Sequence, residues 1–262
     1  FLQPWGIFPF PDRLGRMSIH PVRSNCAHPH PCGIDARIAV MKRSRLARGL
    51  SEEQMVSLAS GLDAWSWHEG DPLLLAGEEA DGSYMIASGR ARITRDTIDG
   101  RELTLDIAAP GDIVGPVSTE PTPAVDSAWA METTCALFIP ATALAEVVST
   151  YPEFALEILQ MQQERLRQAR EREVGQTVHP VQQRVAAVLE DLAEKIGQRL
   201  SDGSVLLQVR LRRQDIAGMA GTTVESTSRV MSKMKKDGVI DSGREWVSIL
   251  DSDALSDLAA GD

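Results

Sequence analysis

The stretch RRQDIAGMAGTTVESTSRVMSKMKKD, from Arg212 to Asp237, predicts two short helices joined by a tight turn. Ala217 in the first helix, Gly221 in the turn and Val230 in the second helix allow the two helices to cross closely. This arrangement is typical of a helix-turn-helix element, whose second helix enters the major groove of DNA. The sequence therefore predicts a chain that reads DNA.

Glu225 has two interpretations. With Thr222 as the N-cap, a glutamate three residues later forms a capping box, which satisfies helix-terminal donors without any DNA. In the second interpretation, Glu225, Ser228 and Arg229 share one helix face, where glutamate accepts from cytosine N4 and arginine forks onto guanine. The two interpretations are compatible, and the continuation of this face through Lys233 favours DNA contact.

Overall composition places the chain among globular proteins of two domains. It has 262 residues, of which 43% are hydrophobic, and no apolar run approaches the roughly 20 residues that span a bilayer. We therefore expect a soluble, cytoplasmic protein with no membrane partner. The net charge of −10 argues against nucleic acid, but residues 205–244 carry eight Lys and Arg against four Asp and Glu. This local charge matters more, because phosphate attraction is screened over about 8–10 Å.

The order of patterns along the chain predicts an α+β protein. Glycines divide the stretch from Trp65 to Pro140 into short alternating runs, which are typical of a small antiparallel β-barrel or roll. Four segments follow from the patterns: an N-terminal extension with a Cys/His loop (1–48), a β-roll sensor domain (49–150), a dimerisation helix (151–175) and a DNA-binding domain (176–262). Residues 1–16 show neither a helical nor a strand period and resemble an extension ahead of Met17.

The end of the β-roll is predicted to be one strand with a buried face. Its apolar residues share one parity and are expected to face the interior: Trp129, Met131, Cys135, Leu137 and Ile139.

A long helix is predicted from Glu153 to about Arg172, with Gly175 ending it and Pro180 starting the next helix. An ordinary core helix is one interpretation of its wide apolar stripe. A helix that joins two domains favours the other interpretation, a seam between two copies of the chain. The residues predicted for that seam are Ile158, Leu159, Met161, Leu166 and Ala169.

Two apolar runs after the second reading helix predict a β-hairpin wing. Gly238-Val239-Ile240 and Trp246 to Leu250 flank Ser242-Gly243. A strand from Leu206 to Leu211 is expected to pair with this hairpin. The C-terminal domain is therefore predicted to be a winged helix-turn-helix.

The predicted β-barrel, long helix and winged helix-turn-helix occur in an order that resembles the CRP/FNR superfamily of bacterial transcription regulators. This resemblance extends over roughly Gly49 to Leu258. The run TTVESTSRVMSKMKKDGVI is similar to the FNR-type recognition helix, whose Glu-x-x-Ser-Arg core matches Glu225, Ser228 and Arg229. AMETTCALFIPATAL, from Ala130 to Leu144, is similar to FNR at the end of the barrel. The resemblance implies a cyclic-nucleotide-binding-like β-roll, a dimerisation helix and a winged helix-turn-helix.

The resemblance also implies a homodimer that binds double-stranded DNA at a palindrome with half-sites related to TTGAT, and that contacts RNA polymerase. Base choice would rest on Glu225 and Arg229, with Ser228 beside them. The full set of candidate DNA contacts is Glu225, Ser228, Arg229, Thr223, Arg213, Lys233 and Lys235. The sequence contains none of the familiar catalytic motifs, so we expect no enzyme activity.

The residues expected at a cyclic-nucleotide site disfavour cAMP. By the resemblance, such sites need an arginine for the cyclic phosphate, because a buried anion must meet a fixed cation. The corresponding stretches here are 111–115 and 126–129, and Asp126 stands where that arginine is expected. A carboxylate there would repel phosphate, so cAMP binding is not expected.

Three cysteines leave the cofactor open. FNR proper holds an iron–sulfur cluster on four cysteines, whereas Cys135 lies two residues before the matching barrel position. The run CAHPHPC places His28 and His30 between Cys26 and Cys32, and such ligands suit iron, a cluster or zinc. An exposed loop without metal, an iron–sulfur centre that responds to oxygen or nitric oxide, and haem or another metal all remain open. Cys135 on its own is a small buried hydrophobe.

Two classes of function remain. The first is a DNA-binding regulator, which a footprint on an inverted repeat tests. The second is a signalling module in which the β-roll senses a small molecule and DNA binding is not regulated.

Overall fold

The structure, a computed structural model, describes residues 33–98, 100–207, 209–243 and 245–261. These residues form two compact units. The N-terminal unit contains the described residues up to Ala91 together with Pro110–Ala155. The C-terminal unit contains Arg92–Ala109 and the described residues from Leu156 onwards. No helix in the described part of the chain is long and apolar enough to cross a membrane.

The N-terminal unit combines short strands with three helices, and its sequence alternation explains the strands. The helices are α1 (Ile34–Arg43), α2 (Glu52–Gly61) and α3 (Ala141–Thr150), with a 3-10 turn at Arg45–Ala47. The strands are β1 (Asp63–Trp67), β2 (Pro72–Leu74), β3 (Glu79–Ala80), β4 (Gly82–Ser88), β7 (Ile113–Val114), β8 (Thr122–Pro123), β9 (Ser127–Ala130) and β10 (Thr134–Pro140). One antiparallel sheet has the order β1-β10-β4-β7, while β2 pairs with β9 and β3 with β8. This is the predicted β-roll.

The end of the β-roll differs from the prediction of a single strand. Residues 131–133 bend between β9 and β10, because Met131 N donates to Arg90 O and Thr134 Oγ1 donates to Arg90 O and Glu132 O. Within β10 the predicted residues Cys135, Leu137 and Ile139 are all buried, but Thr134 and Ala136 are buried as well, so burial alternates only towards the end of the strand.

A hairpin of the chain belongs to the C-terminal unit. Strand β5 (Ala91–Asp96) and strand β6 (Glu102–Ala108) are neighbours in a sheet. Nearly all of this hairpin lies in the C-terminal unit, although its sequence interrupts that of the N-terminal unit. The hairpin therefore packs with elements that are far away in sequence.

The long helix α4 runs from Pro152 to Val178, so the prediction that Gly175 ends it is wrong. A glycine inside a helix costs only about 1 kcal/mol relative to alanine, which a long packed helix tolerates. The helix stops before Pro180 instead, because a proline forces the residue ahead of it, His179, out of the helical region. Helix α5 (Val181–Ile196) then begins with Pro180 as its N-cap.

The rest of the C-terminal unit is a winged helix-turn-helix, as predicted. Its elements are β11 (Gln198–Arg199), β12 (Val205–Leu207), α6 (Arg213–Met219), α7 (Val224–Lys236), β13 (Ile240–Ser242), β14 (Val247–Ile249) and α8 (Ser252–Ala260). The strands form an antiparallel sheet in the order β11-β12-β14-β13, so β12 pairs with the wing as predicted, although it spans Val205–Leu207 and not Leu206–Leu211. Its core contains Leu189, Leu207, Ile216, Met231 and Ile249, all fully buried.

Candidate nucleic-acid interface

The turn between α6 and α7 is held from two directions. Gly221 has a positive φ of 59°, and a Cβ there would lie 2.7 Å from Gln176 Cδ, so the position favours glycine on both grounds. Arg184, from α5, donates from Nη1 to the carbonyls of Ala220 and Gly221 at 2.8 Å each. These carbonyls end α6, where a cation is favourable. The crossing of α6 and α7 is therefore set by α4 and α5, and the sequence carried no signal for Arg184.

The N-cap of α7 is Thr223, so the capping box predicted between Thr222 and Glu225 is wrong. Thr223 Oγ1 accepts from Ser226 N at 3.1 Å, which is the usual contact of a threonine N-cap. With the cap one residue later than predicted, Glu225 lies in the first turn and its carboxylate turns to Arg229 instead. Thr223, a candidate DNA contact, therefore caps the N-terminus of α7.

Glu225, Ser228 and Arg229 lie on one face of α7. Arg229 Nη2 donates to Glu225 Oε1 at 2.5 Å, and the two side chains are 78% and 73% exposed. Ser228 is half-buried. An exposed ion pair of this kind contributes at most about 1 kcal/mol, so a base edge can displace it at little cost. This face therefore presents an acceptor and a forked donor of the kinds that read cytosine and guanine.

The basic candidates fall into two groups. Lys233 and Lys235 lie in the last turn of α7 and are exposed; Lys233 Nζ is 3.1 Å from Gln182 Oε1, and Lys235 Nζ is 2.6 Å from Asp241 Oδ1. Arg213 is half-buried, with Nη1 2.9 Å from Met231 Sδ and Nη2 2.9 Å from Ser242 Oγ. Burial lowers the pKa of Arg213. Arg213 therefore connects α6, α7 and the wing, whereas the lysines extend towards solvent.

Asp215 is the polar residue of α6 that sequence reasoning missed. It is fully buried, and Oδ2 accepts from the backbone N of Arg212 at 2.8 Å, which caps the helix. Oδ1 accepts from Thr104 Oγ1 at 2.9 Å and Arg92 Nη1 at 3.4 Å, both on the β5–β6 hairpin. Buried carboxylates require such partners. No local pattern in the sequence indicates a partner more than a hundred residues away.

The β-roll places four aromatic rings on one sheet face. Trp65, Tyr84 and Phe138 pack with ring centroids 5.1–6.2 Å apart, and Trp67 stacks edge-on to Tyr84 at 5.0 Å. Burial raises the pKa of Tyr84 to about 12. By strand parity, Met85 and Ile139 lie on the opposite face of the same sheet. The aromatic face is thus largely apolar, with neutral tyrosine.

Four of the five candidate metal ligands lie outside the described residues: Cys26, Cys32, His28 and His30. The fifth, Cys135, is buried in β10, opposite Ser66 of β1 and Ser88 of β4. Within the described ranges, no group of three or more His, Cys, Asp or Glu side chains is arranged to hold a metal ion. Cys135 by itself matches a small buried hydrophobe.

Helix α4 has an exposed apolar stripe. Leu159 and Leu166 are 64% and 53% exposed, and Ala169 is also exposed. Ile158 is half-buried and Met161 is buried, so these two lie on the side of α4 that packs within the chain. Two other exposed apolar residues of α4, Leu156 and Val174, lie on the same side of the helical wheel as Leu159 and Leu166, whereas the exposed Val178 lies further round the helix.

Comparison with known families matches both parts of this arrangement. Residues 64–151 match the cyclic nucleotide-binding domain, and residues 183–258 match the Crp-like helix-turn-helix domain. The second match includes α6, the turn and α7.

Two curated relatives extend over most of the chain. The "CRP-like cAMP-activated global transcriptional regulator" of Mycobacterium tuberculosis is 27% identical over 83% of this chain and 97% of its own length. The "Cyclic AMP receptor protein" of Thermus thermophilus is 28% identical over 84% of this chain and 99% of its own. Among solved structures, FixK2 from Bradyrhizobium japonicum matches the fold with a TM-score of 0.67 and 21% identity, covering 75% of this chain and 96% of that one.

Proposed function

We propose that the chain is a transcription regulator of the CRP/FNR type, a homodimer that reads an FNR-like palindrome with TTGAT-type half-sites. The observation that carries this proposal is the exposed Glu225–Arg229 pair on α7. Both side chains stand on a helix whose position is set by Thr223, Arg184 and the turn at Gly221.

The electrostatics of α7 support a DNA surface. Lys233, Lys235 and Lys236 cluster in its last turn, beyond the face that would read bases. Lysines there attract phosphates without distinguishing sequence, whereas Glu225 and Arg229 supply base choice. We therefore expect the lysines in the last turn of α7 to contribute to affinity for any DNA, and Glu225 and Arg229 to contribute to sequence specificity.

The dimer proposal rests on the exposed stripe of α4. Leu159 and Leu166 are seven residues apart, so a second copy of α4 could pack along the same line. Ala169 lies nearby and would allow close approach. Of the five seam residues predicted from the sequence, Ile158 and Met161 pack within the chain, so we assign the seam to Leu159, Leu166 and Ala169. Leu156 and Val174 add to this face.

Selection from a pool of random duplexes tests the DNA target directly. We expect the retained sequences to converge on an inverted repeat with TTGAT-type arms, and a scrambled repeat to bind weakly at the same salt concentration. A footprint confirms protection of both arms. Retention of no common sequence under aerobic, anaerobic and nitric-oxide-treated conditions would contradict the proposal and favour the alternative, a ligand-sensing module without regulated DNA binding.

Sedimentation analysis tests the seam. The double variant Leu159→Gln/Leu166→Gln is expected to sediment as a monomer, because the polar side chains cannot form an apolar interface. Leu250→Gln is the matched control, since Leu250 is equally exposed but lies after the wing. A wild-type monomer, or an unchanged dimer in the double variant, would exclude this seam.

For the effector, we propose that cAMP does not regulate this chain, although two relatives carry cAMP in their names. Asp126 precedes β9, where the family resemblance expects the arginine that neutralises the cyclic phosphate. Saturating cAMP is therefore expected to leave Tm unchanged, whereas a specific ligand raises it. A clear rise in Tm would reverse this part of the proposal.

We further propose that the protein responds to oxygen, nitric oxide or redox state through a bound metal centre. The proposed ligands of this centre are Cys26, Cys32, Cys135, His28 and His30. Anaerobic purification with metal analysis tests it. A broad visible shoulder with iron and sulfide indicates a cluster, a sharp Soret band indicates haem, and a featureless spectrum without metal contradicts a resident cofactor. Contact with RNA polymerase and a cytoplasmic location are further parts of the proposal, drawn from the family.

A further inference from the structure

The β5–β6 hairpin packs against α6, the first helix of the DNA-reading motif. Gly218 of α6 lies directly on the backbone of β6: a Cβ at Gly218 would be 2.7 Å from Thr104 O and 2.9 Å from Thr104 N. The absence of a side chain at Gly218 therefore permits this close contact. The hairpin residues lie within the stretch 64–151 that matches the cyclic nucleotide-binding domain. A segment of the sensor sequence thus touches the reader within one compact unit.

Polar contacts reinforce this packing. The buried Asp215 bonds to Thr104 and Arg92 of the hairpin, while Arg212 Nη2 lies 3.7 Å from Glu102 Oε1 and 3.3 Å from Asp215 Oδ1. Gln214 Nε2, at the start of α6, also donates to the carbonyl of Glu102, at 3.4 Å. The first turn of α6 is thus bonded to β6 through backbone and side chains.

This arrangement conflicts with DNA contact by α6. In helix-turn-helix complexes the first helix crosses the sugar–phosphate backbone. Here Glu102 lies beside that helix, and the charge of Arg212 is shared by two carboxylates. Burial raises the pKa of Glu102, and the nearby carboxylates of Asp96 and Asp215 raise it further. A phosphate brought to the same place would meet further repulsion.

We propose that the β5–β6 hairpin is an autoinhibitory clasp on α6, and that the chain binds its DNA at full affinity only when the hairpin releases this helix. The inference rests on the proposed DNA-binding function. The hairpin enters from the N-terminal unit at Arg92 and returns to it at Ala109, so both of its ends are tied to the sensor strands.

Two independent variants open the clasp without altering the reading face. Gly218→Ala places a methyl group against Thr104 O, while alanine itself favours the helix. Glu102→Gln/Thr104→Val removes one carboxylate charge and one hydrogen bond to Asp215, leaving the α6 cap intact. Gly61→Ala is the matched control, because Gly61 ends α2 and a Cβ there has nothing within 4 Å.

The experiment measures Kd for the selected palindrome and for a scrambled duplex, with hydrogen exchange of β6 and α6 in the same proteins. We expect both clasp variants to bind the palindrome about fivefold tighter or more, at the lower end of the usual coupling between sites. Exchange in β6 should be faster, and Gly61→Ala should match the wild type in both measurements.

The outcomes separate the two proposals. If the wild type discriminates the palindrome but neither variant binds it more tightly, the clasp is not inhibitory and the inference is overturned. If no protein discriminates the palindrome from the scrambled duplex, the proposed function itself fails. Should Gly218→Ala not fold, as judged by circular dichroism, Glu102→Gln/Thr104→Val decides the question alone.

Discussion

The two helices of the reading motif use their polar side chains in opposite ways. On α6, Asp215 is fully buried and Arg213 is bonded to Met231 and Ser242, so polar groups hold the unit together. On α7, Glu225 and Arg229 are mostly exposed and bonded to each other. Acidic and arginine side chains therefore hold α6 in place, whereas the same kinds of side chain on α7 are available to contact bases. Burial and long-range partners separate the two roles, which residue type alone does not.

The largest effect is expected at Asp215. Asp215→Ala removes the cap of α6 and leaves Arg92 and Thr104 without their buried acceptor, and breaking such a buried pair costs about 3–5 kcal/mol. Urea unfolding followed by circular dichroism measures the loss. Asp215→Asn keeps an oxygen acceptor and should lose less. A loss below about 1 kcal/mol for the alanine variant would show that α6 does not depend on this carboxylate.

The next effect belongs to α7 and appears in DNA binding instead of stability. Arg229→Ala should weaken binding to the palindrome by about 1–3 kcal/mol, or roughly 5-fold to 150-fold, and relax base choice at one position of each arm. The free energy of unfolding should change by no more than about 0.5 kcal/mol, because Arg229 is exposed.

Arg229→Lys separates charge from geometry. Lysine keeps the positive charge but cannot fork onto guanine, so its base choice should resemble that of the alanine variant. If the Arg229→Lys variant kept the full base preference of the wild type, specificity would come from other residues of α7.

A smaller effect is expected at Thr227, the buried polar residue of α7. Its side chain is fully buried, and its hydroxyl has no hydrogen-bond partner within the described ranges, in contrast to the satisfied Asp215. Thr227→Val should therefore stabilise the fold by about 1 kcal/mol, since an unsatisfied buried hydroxyl carries a desolvation cost of roughly that size. A thermal melt measures it, with the half-buried Thr222→Val as control. A lowered Tm would indicate that the hydroxyl has a partner in solution.

The smallest effect concerns the lysines at the end of α7. Lys235 is paired with Asp241, whose pKa this contact lowers, whereas Lys236 is exposed. Lys235→Gln should weaken all duplexes alike and reduce the slope of log K against log salt by at most about one. Lys236→Gln is the comparison. A change in base choice for either variant would contradict a role at phosphates.

How well the sequence predicted each feature depended on how far apart in sequence its interacting residues lie. The helix-turn-helix, the wing and the long helix were all predicted, because their turns and apolar periods are local. The cap of α7 was predicted one residue too early, because Thr222 and Thr223 are equally good caps by residue type. Gly175 was predicted to end α4, but packing tolerates it.

For this protein the sequence alone determined the order of β-roll, long helix and winged reader, and it placed Glu225 and Arg229 on one helix face. Those properties depend on spacings of a few residues, which the 3.6-residue period converts directly into geometry. Tertiary structure alone decided that Asp215 is buried against Thr104 and that Arg184 binds the carbonyl groups at the C-terminus of α6. It also decided that the β5–β6 hairpin packs against α6. These contacts join residues 36 to 123 positions apart, and only the folded chain brings them within hydrogen-bonding distance.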